Sequence, residues 1–161
     1  MRLFDFHKPG VTKVKDQLEK NLIKLQTLLD ELEGTLLEEV SQLSRARINP
    51  VSLQVISDNK SRLLAAINFY DEERKHAEKN AQLYIPYKNN ARLATRWEGI
   101  TLVLRRASDL NQRSNQLLEI HMERVTTLRK LIVQTGNMPS LYGEDGDHSH
   151  HHVGNSYRIS V

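Results

Sequence analysis

From Leu93 to Ile132 the chain follows an unbroken alternation of four- and three-residue steps: Leu93, Trp97, Ile100, Leu104, Ala107, Asn111, Ser114, Leu118, His121, Val125, Leu128 and Ile132. That spacing lays one stripe along an α-helix and forms a coiled-coil-like seam. At about 1.5 Å per residue a helix carrying it is about 60 Å long, more than a globular domain of 18.6 kDa requires. The expectation is an elongated, all-α molecule.

Two further helices are predicted upstream. Leu18, Leu22, Leu25, Leu29, Leu32 and Leu36 recur at the same spacing after Pro9-Gly10, so a first helix is expected over about residues 11–45, continuous through Gly34. Asn49-Pro50 is a start signal, since Asn caps free backbone N–H groups and proline suits the first helical position. The second helix, about 50–82, carries Leu53, Ile56, Leu63, Leu64, Ile67 and Tyr70. Its polar end, Asp71 to Lys79, is expected to be exposed or frayed. Tyr84 to Asn90 holds a proline and two asparagines and reads as a connection. The third helix then spans about 91–135 and stops at Gly136 and Pro139. These elements predict an antiparallel bundle of three long helices over residues 1–135, followed by a flexible C-terminal tail, 136–161.

Charge and composition narrow the function classes. The net charge is +3, but the tail contributes −2 through Glu144, Asp145 and Asp147 against Arg158, leaving +5 on the rest. With no cysteine, disulfides, thiolate catalysis and cysteine-ligated metals are excluded. The apolar runs are far shorter than the ~18 residues of a spanning helix, so no membrane insertion is expected and the location is read as cytoplasmic. Arg105, Arg106, Arg113, Arg124, Arg129 and Lys130 are interleaved with acids, which reads as a solvated face rather than a nucleic-acid stripe.

No phosphate loop, nucleophile elbow or metalloprotease motif is present, so the reading is not an enzyme, with no cofactor. Glu73-Arg74-Lys75-His76 has ligand spacing without the second motif a di-iron bundle needs. The tract His148 to His152 is a conceivable Zn²⁺ or Ni²⁺ ligand set but lacks fixed geometry. His121, with Asn111 and Ser114, reads as part of a polar stretch that sets register. Left over are apolar residues off the seam, such as Leu110, Leu117, Leu131 and Val133, and those of the tail, which have no evident core to join. Apolar residues in a polar segment suit docking to a partner.

The segments Arg96-Trp97-Glu98-Gly99-Ile100-Thr101, Asp109-Leu110-Asn111-Gln112, Leu117-Leu118-Glu119, Glu123-Arg124 and Leu141-Tyr142-Gly143-Glu144-Asp145-Gly146 closely resemble the FlgN family. Lys60 to Ala65 and the closing Tyr157 to Val161 are similar to it as well, whereas the first helix matches in pattern only. The resemblance implies a non-catalytic cytoplasmic chaperone that binds the C-terminal helical segments of the flagellar hook-associated proteins FlgK and FlgL. It implies that the third helix and the following segment carry cargo, here Leu117, Leu118, Val125, Leu128, Leu131, Ile132 and Met138. It further implies docking to the export gate protein FlhA through the tyrosine matching Tyr142, with Leu141, Gly143, Asp145 and Gly146 beside it. The competing reading is a helical adaptor that self-associates through the seam.

Overall fold

The computed structural model describes residues 9–136, which form three α-helices and no strand: α1 (Pro9–Leu43), α2 (Pro50–Ala81) and α3 (Ala91–Thr135). Helix α1 begins two residues before the expected start, because proline is harmless at a first helical position, and runs through Gly34 without a break. The start of α2 is fixed by Asn49, whose Oδ1 accepts hydrogen bonds from the backbone N–H groups of Val51 at 3.1 Å and Ser52 at 3.3 Å. At its other end Gln82 takes a left-handed conformation, φ 52°, and its N–H donates to the Glu78 carbonyl. Asn90 starts α3 in the same way as Asn49 starts α2, accepting from Leu93 N–H at 3.2 Å.

Cross-helix contacts give the direction of each element. Arg96 donates to Glu19 at 2.9 Å and Arg106 to Glu33 at 2.6 Å, so α1 and α3 run the same way. Asn59 donates to Thr35 at 2.9 Å, and eleven residues later on α2 the Tyr70 ring lies 5.9 Å from Lys24 Nζ, eleven residues earlier on α1, so α2 runs opposite to α1. Gly99 lets α3 approach α1 closely, since a Cβ there would lie 3.0 Å from Gln26 Oε1. Mutual support at Arg106 and Glu33 holds the Glu33 carboxyl below its ordinary range and raises the guanidinium.

All six α1 leucines of the stripe are buried, and they meet Leu63 and Ala77 of α2 and Leu93, Ile100, Val103 and Ala107 of α3. Burying each leucine contributes about 1.5–3 kcal/mol, which is why this stripe dominates the core. On α2 the stripe is thinner than the sequence suggests. Ile56 and Leu63 are buried, Leu53, Ile67 and Tyr70 half-buried, and Leu64 exposed. On α3 Val103 occupies the core while Leu104 of the seam is exposed.

The polar end of α2 is not frayed, contrary to expectation. Arg74 and Glu78 are buried there, and Arg74 donates to Glu78 at 2.6 Å and to Asp71 at 2.8 Å. Tyr87, from the connection, donates its hydroxyl to the same Glu78 oxygen. The Arg74 guanidinium stacks over the Trp97 ring at 5.1 Å, and Tyr87 meets Trp97 edge-on at 6.2 Å. Charges taken out of water persist only when paired and hydrogen-bonded, and here each has such partners. Burial pushes the Tyr87 phenol well up, and the neighbouring Glu78 carboxylate adds to it, so the hydroxyl stays a donor.

Candidate functional site

The chain divides into two compact units, Met1–Arg124 and Val125–Val161. In the first, the α3 stripe is core at Leu93, Ile100, Ala107 and Ser114. Its three polar residues do not form one register-setting set, as the spacing suggested. Ser114 is buried, Asn111 is exposed and accepts from Lys60 at 3.5 Å, and His121 reaches the Leu43 carbonyl with Nε2 at 2.7 Å. The last carbonyls of a helix lack intrahelical partners, so His121 closes the end of α1 as an N–H donor. Leu117 is half-buried in this unit and Leu118 is exposed.

In the second unit, every residue from Val125 to Gly136 is exposed although the stripe keeps its spacing. Val125, Leu128 and Ile132 occupy one helix face, with fractional exposures of 46%, 58% and 67%, and Leu131 lies beside them at 51%. The helix closes at Gly136, whose N–H donates to the Ile132 carbonyl at 2.8 Å. Four branched apolar side chains within three turns of a helix, all facing water, form a surface of the kind that recognises a partner helix. Sequence spacing identifies Val125, Leu128 and Ile132 as one stripe, with Leu131 off it; their exposure is seen only in the structure.

Met138, Leu141, Tyr142, Gly143, Asp145, Gly146 and the tract His148 to His152 lie outside the described residues. Among the described residues no group of three or more His, Asp or Glu could hold a metal ion, and Glu73 and His76 are both exposed. The bases Arg105, Arg106, Arg113, Arg124, Arg129 and Lys130 are all exposed. The buried cluster around Arg74 offers no free group for chemistry, because its carboxylates and guanidinium are engaged with one another; its role is to hold the α2–α3 connection. Sequence reading missed Tyr87 and Arg74. The available signal was an aromatic residue just after Pro86, within reach of a charged run that has complementary acids at i−3 and i+4.

A family model described as FlgN protein matches residues 14–150, covering α2, α3 and nearly all of α1. The chain belongs to the FlgN family. It is 34% identical to the flagella synthesis protein FlgN of Salmonella typhimurium over 145 residues, 90% of this chain and 99% of that one. The FlgN of Yersinia enterocolitica is 32% identical over 83% of this chain and 90% of its own. The FlgN of Escherichia coli is 28% identical over 90% and 99% respectively. No solved structure matches the chain significantly. FlgN relatives bear the name of flagella synthesis proteins, and no enzymatic activity is part of that name. Among the described residues of this chain, no helix is long and apolar enough to cross a membrane.

Proposed function

We propose that this FlgN-family protein serves flagellar assembly as a cytoplasmic export chaperone for FlgK and FlgL. The observation that carries this reading is the exposed apolar face of α3 at Val125, Leu128, Leu131 and Ile132. A C-terminal cargo helix laid on that face gives its own apolar stripe a partner and keeps it from associating prematurely. Leu117 and Leu118 of the first unit and Met138 of the tail are assigned to the same cargo. No nucleotide is consumed by such a device, because the affinity comes from apolar burial.

The tail residues Leu141, Tyr142, Gly143, Asp145 and Gly146 are assigned to the second contact, with FlhA at the membrane-associated export gate. Two sites on one chain raise the effective concentration of cargo at the gate without any new contact between them. An aromatic anchor is the residue type whose loss costs an interface most. Tyr142→Ala is therefore expected to weaken binding to the cytoplasmic domain of FlhA while leaving the affinity for a FlgK C-terminal segment unchanged. Leu128→Asp is expected to do the reverse, since a carboxylate placed in an apolar contact is costly. Parallel binding titrations of both variants test the division; equal loss at both partners in either variant contradicts it.

A further inference from the structure

We infer that the helix received by the second unit's apolar face carries acidic residues beside its own apolar stripe, and that Arg129 reads them. The inference rests on the reading of this face as a docking surface and adds the chemistry of its occupant. From Val125 to Gly136 the only charged residues are Arg129 and Lys130, with no acid among them. Both are exposed, and neither forms an ion pair among the described residues.

Position on the helix decides which of the two matters. Arg129 is four residues after Val125 and three before Ile132, and residues three and four apart are neighbours on a helix surface. Its guanidinium therefore edges the stripe formed by Val125, Leu128 and Ile132, while Lys130 falls on the far side of the helix. On the opposite edge the flanking residue is Leu131, which is apolar. An incoming helix thus meets hydrocarbon along one edge and a guanidinium along the other, and a carboxylate is the group a guanidinium pairs with best.

The same arrangement disfavours a second copy of this chain. In an antiparallel pair of helices the flanking positions of one strand face the equivalent positions of the other, so Arg129 of each copy would meet Arg129 of its neighbour. Like charges facing across an interface suppress that pairing.

The test uses the full chain and two synthetic helical peptides with one leucine stripe in common, flanked by Glu in one and by Lys in the other. Titration is expected to favour the Glu peptide by about fivefold at low salt, the scale of an exposed ion pair, with the preference vanishing near 1 M salt. Arg129→Glu is expected to reverse the preference, and Arg129→Lys to retain most of it. Equal binding of both peptides, or a preference unchanged in Arg129→Glu, overturns the inference while Leu128→Asp still abolishes binding of both. If Leu128→Asp binds both peptides as well as the parent does, or if the parent binds neither, the docking surface itself is wrong. Sedimentation is expected to give a monomer; a dimer dispersed by Leu128→Asp would assign the face to a second copy instead.

Discussion

Residues 71–81 and residues 125–135 use polarity in opposite ways. The first stretch is almost wholly charged or polar yet contributes Arg74, Ala77 and Glu78 to the interior. The second carries Val125, Leu128, Leu131, Ile132 and Val133 and leaves all of them exposed. Buried charge is held by pairing, as Arg74 is by Asp71 and Glu78, and so marks a fixed piece of architecture. Exposed hydrocarbon has no such internal compensation, which is why we propose it as the face that meets cargo. The contrast separates a segment that polar pairing fixes in the architecture from one whose apolar side chains stay in water.

The comparison can be broken most severely at Arg74. Removing one partner of a buried ion pair leaves the other charge uncompensated, so Arg74→Ala is expected to cost about 3–5 kcal/mol in urea unfolding. Replacing the set together, by Arg74→Met with Glu78→Leu and Tyr87→Phe, is expected to recover most of that loss. A single substitution as mild as a surface change would mean that the network does not hold the α2–α3 connection.

Next in size is a pair on the same helix. Ile100→Ala removes core hydrocarbon and is expected to lower stability by about 2–5 kcal/mol. Leu128→Ala is expected to stay within about 0.5 kcal/mol in the same unfolding assay, its effect falling on cargo affinity by about tenfold instead. Similar destabilisation by both would show that the Leu128 face is core. Tyr87→Phe sharpens the comparison from the polar side: losing a hydrogen bond to the buried Glu78 carboxylate is expected to cost about 1–3 kcal/mol. His121→Ala, which leaves the Leu43 carbonyl without its partner, is expected to cost about 1 kcal/mol by the same measurement.

The smallest effect is the pH dependence from Asp71. Burial raises its carboxyl, but hydrogen bonds from Arg74 and Lys75 outweigh that and leave it below its ordinary value. A depressed carboxylate stabilises fully above about pH 4 and loses that contribution as pH falls through the lowered value. Denaturation midpoints are expected to fall on acidification over that range, and Asp71→Asn to flatten part of the decline. A variant that follows the parent's profile throughout would remove Asp71 from the account.

The three helices were legible from residue types alone, because the leucines of α1 and the cap at Asn49 act locally; that Asn90 caps α3 emerged only with the structure. The interior of the polar stretch was not, since a spacing rule treats charge as exposed and cannot see that Tyr87 and Trp97 come round to meet Arg74 and Glu78. The stripe of α3 was legible as a stripe but not as half core and half surface. Periodicity states which residues share a face and says nothing of whether that face is covered. The Leu43 carbonyl held by His121 marks where α1 ends, a fact carried by tertiary contact. Of the candidate site, Val125, Leu128 and Ile132 share a stripe by spacing and Leu131 is apolar beside it, but their assignment to cargo came from the family resemblance, and their common exposure needed three dimensions. The gate-binding assignment of Tyr142 rests on the family resemblance and on the chemistry of an aromatic anchor.

The central claim is that the exposed α3 face receives cargo, and calorimetric titration of the full chain with the C-terminal helical segment of FlgK tests it most directly. One-to-one binding with a negative heat-capacity change, the mark of apolar burial, and its loss in Leu128→Asp are the predicted results. Absence of binding to both FlgK and FlgL segments, or binding undiminished in Leu128→Asp, would contradict the claim.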